Sequence, residues 1–191
     1  MNVTNESDIK NQWDLLHANL PLLGHRNWIV IADAAYPQHA SAAIETIVVD
    51  AEQIDAVREV LRAIAASNHV RANVYTDLEL IHVNEADAPG VSAYRKQLDV
   101  ALIGTTAVQI PHEEIIARLD KCAQVFRVLL FKTRMRIPYT SVFCELECGY
   151  WSAVAEERLR KTIQHDQNSL AADERELSTT SKEKDDENEQ A

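Results

Sequence analysis

Three polar side chains flank a short apolar run near the start of the chain. His25 precedes the run over residues 28–32, Asp33 follows it directly, and His39 comes after a proline turn. Histidine, with an unperturbed pKa of about 6.5, can donate or accept a proton near neutral pH. The spacing therefore permits acid–base chemistry by His25 and Asp33. It also fits an aspartate that caps a turn and a histidine that is only solvated.

The apolar run itself, WIVIA, predicts a strand that is buried on both faces, as in a mostly parallel sheet. Ligands bind outside the carboxyl ends of such strands, and Asp33 falls at that end. A strand of this length spans about 16 Å, so His25 lies near the other end. His25 and Asp33 can share one site only if the loop folds back or if a second subunit completes the pocket.

Strands and helices alternate along the chain. Residues 51–67 place apolar side chains on one stripe with charges opposite, which is typical of an amphipathic helix. Further helices are predicted over 9–20, 91–101, 112–123 and 154–163, and strands over 28–32, 46–49, 70–83, 107–110, 125–131 and 141–148. The alternation predicts a single α/β domain with three α/β/α layers around a mostly parallel or mixed sheet.

The composition divides the chain into three parts. Residues 1–9 are polar and predicted to be flexible, residues 10–165 form the α/β domain, and residues 166–191 form a disordered acidic tail. The tail has nine acidic and three basic residues, with too little apolar surface to offset the entropy of ordering. The rest has 16 basic and 21 acidic residues, a net charge of −5, which disfavours nucleic acid as a partner.

Membrane, export and metal signals are also missing from the sequence. No apolar run approaches the roughly 18–20 residues of a membrane helix, and residues 1–16 do not resemble a signal peptide. The three cysteines predict reduced thiols and a cytoplasmic location. Cys144 and Cys148 would lie about 13 Å apart on one strand, too far to share an ion bound at about 2.3 Å from each sulfur.

Residues 24–39 resemble the signature of the D-ribose pyranase / L-fucose mutarotase family, which has a Gly-His pair, a short strand, Asp-Ala and a proline. Here the segment reads GHRNWIVIADAAYPQH, and its Pro-x-His ending is more similar to the fucose branch. Three further similarities follow in the family's order. They are a Tyr-Arg helix at residues 89–98, a His-Glu pair at His112 and Glu113, and a Tyr-containing segment at residues 138–142.

The resemblance implies an enzyme that interconverts the anomers or ring forms of a free monosaccharide, fucose-like or ribose-like. Opening a pyranose needs one proton delivered to the ring oxygen and one removed from the anomeric hydroxyl, with no metal and no cofactor. By resemblance, His25 is the acid–base residue, and Asp33 holds sugar hydroxyls or orients the imidazole. The same resemblance lines the sugar site with His39, His112, Tyr139 and Ser141.

The resemblance further implies a ring-shaped homo-oligomer with sites near subunit contacts. Ser141 stands where the family usually has asparagine, which leaves open a sugar-binding or regulatory member without turnover. An unrelated α/β protein with an accidental match is a third possibility. Convergence of His25, Asp33, His112 and Tyr139 in space would separate this last possibility from the other two.

Overall fold

The computed structural model describes residues 6–168, which fall into two compact units that divide after Tyr150. The first unit contains the helices α1 Glu6–Asn19, α2 Gln53–Ala66, α3 Val91–Ala101 and α4 His112–Cys122. Its strands are β1 Trp28–Ala32, β2 Ile44–Val48, β3 Val70–Asp77, β4 Ala107–Ile110, β5 Val128–Lys132 and β6 Val142–Cys148. The second unit contains helix α5, described over residues 153–168.

The strands form one mixed sheet in the order β2-β5-β1-β6-β3-β4. The pairs β1/β5, β2/β5 and β3/β4 are parallel, whereas β6 runs antiparallel to both β1 and β3. Strands β1 to β5 therefore point the same way and end at one edge of the sheet, here called the carboxyl edge, where β6 begins. The mixed sheet predicted from the sequence is confirmed.

Alternate residues of β1 pack into two separate cores on the two faces of the sheet. Ile29 and Ile31 belong to the core that α1, α2 and α3 cover, and Val30 belongs to the core that α4 covers. All residues of β1 are buried, as expected of a central strand with helices on both faces. The predicted three-layer α/β/α arrangement is therefore confirmed as well.

The strand predicted over residues 70–83 ends earlier, at Asp77. Leu78–His82 forms a 3-10 helix instead, and Arg95 of α3 stabilises this turn. Its Nη1 atom donates hydrogen bonds of 2.9–3.1 Å to the carbonyl oxygens of Leu80, Ile81 and Val83. This tertiary contact overrides the β-propensity of the apolar residues, and it ends β3 with a carboxylate at the carboxyl edge.

The predicted domain boundaries at the two ends of the chain stay predictions. Helix α1 begins at Glu6, inside the stretch predicted to be flexible, while residues 1–5 lie outside the described part. Helix α5 continues past the predicted boundary at 165, and the remaining tail, residues 169–191, is again outside the described part. Within residues 6–168, no helix has the length and apolar character needed to cross a bilayer.

Candidate functional site

A cleft of about 340 Å³ opens at the carboxyl edge of the sheet, within the range of about 300–1,000 Å³ that is usual for small-molecule sites. The segment after β1 contributes Asp33, Tyr36 and His39, the start of α4 contributes His112, and the loop before β6 contributes Tyr139. These segments are far apart in the sequence. They meet because β1 and β4 end, and β6 begins, at this edge.

His112, the first residue of α4, is held by two carboxylates. Its backbone N–H donates to both carboxylate oxygens of Glu79, at 3.1 and 3.0 Å, which satisfies one of the free N–H groups at the start of the helix. Its ring Nδ1 lies 3.0 Å from Oδ1 of Asp77. The side chain is 31% exposed and lines the cleft, and its other ring nitrogen, Nε2, takes no part in the contact with Asp77.

Asp77 is fully buried at the end of β3 and fixes the orientation of the His112 ring. Burial raises the pKa of the Asp77 carboxyl, while the hydrogen bond and charge of His112 act in the opposite direction. When Asp77 is ionised, Nδ1–H donates to it and the unprotonated Nε2 can take a proton from a ligand. The carboxylate then stabilises the imidazolium, so the pair is suited to acid–base work.

Three buried side-chain atoms have no hydrogen-bond partner within residues 6–168: Oδ2 of Asp77, the hydroxyl of Tyr36 and Nε2 of His39. Tyr36 and His39 line the cleft, and Asp77 holds its histidine. Buried polar groups are almost always paired, because an unpaired one costs about 1–3 kcal/mol. Two of the three atoms belong to side chains that line the cleft, which favours a ligand with several polar groups that displaces the groups now covering them.

Tyr139 adopts a strained backbone conformation beside His112. Its φ is 58°, in the left-handed region that few non-glycine residues occupy. Its ring meets the His112 ring edge-on, with 5.7 Å between the centroids. Strain of this kind persists where the surroundings hold the chain in place, and it collects at ligand sites.

A buried polar network holds the loop that carries Tyr139. Nε2 of Gln53, at the start of α2, donates to the carbonyl oxygens of Thr140 at 2.8 Å and Ile31 at 3.2 Å. Its Oε1 accepts a hydrogen bond from the hydroxyl of Thr133, just after β5. The hydroxyl of Tyr94 donates to the same Thr140 oxygen at 2.7 Å. The network ties the loop to β1, β5 and α3.

His25 lies at the opposite edge of the sheet, away from the cleft. The N–H of Arg26 donates to the carbonyl oxygen of Leu146, near the end of β6, at 2.8 Å. The His25 ring accepts a 3.3 Å hydrogen bond from Nε of Arg26. Within one chain, the cleft therefore brings together Asp33, His112 and Tyr139, and His25 does not join them.

The remaining predicted residues differ in their position relative to the cleft. Asp33 lines it and also caps the turn after β1, because its Oδ1 accepts the N–H of Ala35 at 2.7 Å. His39 lines the cleft, with its ring 5.7 Å from that of Tyr36. Ser141 is buried just before β6 and is not one of the residues that line the cleft.

Sequence reasoning missed Asp77, Glu79 and Tyr36. The rule that places Asp33 at the carboxyl end of a strand applies equally to Asp77, but the strand predicted over residues 70–83 ran past it. Tyr36 has no distinguishing signal in the sequence, because only the packing around it shows that its hydroxyl is buried.

Comparison with known proteins identifies one matching family and several similar solved structures. The model of the RbsD / FucU transport protein family matches residues 13–128, and no curated protein matches the chain. The structure of Bacillus subtilis RbsD complexed with D-ribose has 18% sequence identity and a TM-score of 0.50, covering 77% of this chain and 95% of that one. The Streptococcus pneumoniae fucose mutarotase in complex with L-fucose has 20% identity and a TM-score of 0.47, covering 70% and 91%.

The likeness to Bacillus subtilis RbsD shows a shared fold. The family match extends over more than half of the chain, from α1 to the start of β5. It includes the segment after β1 and the start of α4, which supply most of the cleft. The chain therefore belongs to the RbsD / FucU transport protein family.

Proposed function

We propose that the protein is a monosaccharide mutarotase or pyranase, which opens and recloses the ring of a free aldose of the ribose or fucose type. The observation that carries the proposal is the Asp77–His112 pair at a cleft whose buried polar atoms lack partners within the described chain. Family membership supports it, and the Bacillus subtilis relative was solved with D-ribose, which favours a monosaccharide as the ligand.

Ring opening needs the transfer of two protons. A base removes the proton of the anomeric hydroxyl while an acid delivers one to the ring oxygen, so that the bond between C1 and the ring oxygen breaks and C1=O forms. Reclosure on the other face of the carbonyl gives the other anomer, and reclosure by a different hydroxyl gives the furanose. Such acid–base assistance is typically worth about 10²–10⁴ in rate.

His112 is one of the two proton carriers in this proposal, because Asp77 fixes its ring and stabilises its charged form. The second carrier is His25 of a neighbouring copy, since His25 lies outside the cleft of its own chain. Asp33 and His39 hold sugar hydroxyls, and the ring of Tyr139 packs against the sugar. Contact between Ser141 and the sugar stays a prediction.

A sugar-binding or regulatory protein without turnover is the second candidate. Two observations favour it: His25 is absent from the cleft of its own chain, and Ser141 replaces the usual asparagine. The same cleft would then hold the sugar through Asp33 and His39 while ring opening stayed at its spontaneous rate.

Saturation transfer between the two anomeric proton signals of D-ribose or L-fucose separates these candidates. We expect wild type to accelerate exchange and His112→Gln to slow it by about 10²-fold or more. The control is His17→Gln on the exposed face of α1, which should exchange as fast as wild type. Binding without acceleration by wild type would favour the second candidate, and an unimpaired His112→Gln variant would remove His112 from the mechanism.

A further inference from the structure

Tyr36 lines the cleft, but its buried hydroxyl has no task in the chemistry proposed above. The side chain is only 5% exposed, and its backbone is fixed on both sides. The N–H of Tyr36 donates to the carbonyl oxygen of Asp33 at 3.3 Å, and its own carbonyl oxygen accepts from Nζ of Lys132 at 2.8 Å. The ring also packs at 6.5 Å from that of Phe143. The hydroxyl is therefore held in one place.

That hydroxyl has no hydrogen-bond partner among residues 6–168, and the same is true of Nε2 of His39, whose ring lies 5.7 Å from that of Tyr36. Tyr94 is buried to a similar extent, at 3% exposure, but its hydroxyl donates to Thr140. Because an unpaired buried hydroxyl costs about 1–3 kcal/mol, two such groups side by side indicate a ligand that pairs with them.

The charges around Tyr36 define which kind of ligand group fits. Burial raises the pKa of the phenol, and the carboxylates of Asp120, Asp77 and Asp33 raise it further. The phenol is therefore protonated at neutral pH and donates its hydrogen. Both atoms, the Tyr36 hydroxyl and Nε2 of His39, are covered by neighbouring groups in this conformation, so those groups must shift slightly to admit a ligand. A single hydroxyl of a sugar can then accept this bond and donate to Nε2 of His39 in the tautomer that carries no hydrogen there. A methyl group or a hydrogen at that position would leave both atoms unpaired.

We propose that Tyr36 is a specificity-determining residue whose hydroxyl, together with His39, pairs with one non-reacting hydroxyl of the monosaccharide. The proposal rests on the proposed function, because it requires a sugar in the cleft. Sites built to pair with a substrate hydroxyl strongly reject analogues that lack it. The substrate is accordingly an aldose hydroxylated at this position, and the corresponding deoxy sugar binds poorly.

Tyr36→Phe tests this proposal, because it removes only the hydroxyl. Affinities for D-ribose, its 2-deoxy and 3-deoxy analogues and L-fucose are measured for wild type and variant by calorimetry or ligand-observed NMR. We expect wild type to bind one deoxy analogue about 10-fold more weakly than its parent sugar. In Tyr36→Phe the parent should lose about the same factor, so that the two bind alike. The control is Tyr75→Phe, which loses a hydroxyl that donates to Glu145 at 3.0 Å and should retain the wild-type preference.

Thermal unfolding without sugar supplies an independent readout. Tyr36→Phe should melt no lower than wild type, because the lost hydroxyl is unpaired, whereas Tyr75→Phe should melt lower. A Tyr36→Phe variant with wild-type affinities for every sugar would overturn the role of Tyr36 and leave the proposed function intact, and so would a clearly lowered melting temperature with unchanged preference. A wild type that binds none of the sugars would overturn the proposed function, and the inference with it.

Discussion

The buried Asp77 carboxylate makes the stability of the protein depend on pH. Its pKa is raised chiefly by burial, so ionisation is harder in the folded protein than in the unfolded chain. A carboxyl with a raised pKa contributes stability that is present below its unfolded pKa and is lost as the pH rises through the folded value. Near neutral pH, burial of the ionised Asp77 carboxylate, which orients His112, therefore lowers the free energy of unfolding.

Asp77→Asn keeps the shape of the side chain and an oxygen that accepts from Nδ1–H, but removes the buried charge. We expect the variant to melt higher than wild type near neutral pH. The difference should shrink at a pH below the unperturbed aspartate pKa of about 3.9, where the carboxyl is protonated in both the folded and the unfolded protein. Anomer exchange should fall at the same time, because a neutral amide stabilises the imidazolium less. Calorimetry at the two pH values checks the stability. A variant that melts lower than wild type near neutral pH would contradict the assigned cost.

Residue-level prediction relied on the position of a residue after a strand or on the family resemblance, and the roles it assigned stay predictions. Asp33, His39, His112 and Tyr139 were all expected near a ligand, and the structure places all four at one cleft. The same strand-end argument applies to Asp77, but the strand was predicted to continue to residue 83, so Asp77 was not recognised as a strand end. The unpaired hydroxyl of Tyr36 depends on packing between distant segments, which no local pattern encodes.

The start of α4 is the element that sets the position of His112. Glu79, in the 3-10 helix after β3, accepts the His112 N–H with both carboxylate oxygens, and so acts as a cap supplied from another part of the chain. Glu79→Ala should lower the free energy of unfolding by about 1 kcal/mol and slow anomer exchange. Glu79→Gln keeps an accepting oxygen and should lie between alanine variant and wild type in both measurements. Equal exchange rates in all three proteins would show that this cap does not position His112.

Most elements were predictable because their apolar periodicity agrees with their environment. Helix α3 and strand β4 have the predicted bounds, Val91–Ala101 and Ala107–Ile110. The apolar residues after Asp77 have strand-like composition. They form a 3-10 helix because the Arg95 guanidinium donates hydrogen bonds to carbonyl oxygens in and just after this segment. A contact of that kind is set by the tertiary fold, so the local sequence could not reveal it.

At the scale of the whole molecule, β1 separates the two residues that the sequence singled out first. His25 precedes the strand and Asp33 follows it, so they lie at opposite edges of the sheet. A shared site requires the His25 edge of one copy to meet the carboxyl edge of another. Such a contact joins two different surfaces, and contacts of this type close into rings when the rotation allows. The ring-shaped homo-oligomer that the family resemblance implies would supply such a contact, and it stays a prediction.

Mixed assemblies of His25→Ala and His112→Gln subunits test the shared site most directly. Each variant alone should be nearly inactive in saturation transfer between anomeric signals. In co-expressed mixed oligomers, verified by light scattering, a site that takes His25 from one subunit and His112 from the next is intact in about a quarter of the contacts. We therefore predict that about a quarter of the wild-type exchange rate returns. Mixed oligomers as inactive as the separate variants, or a His25→Ala protein with full activity, would contradict the shared site.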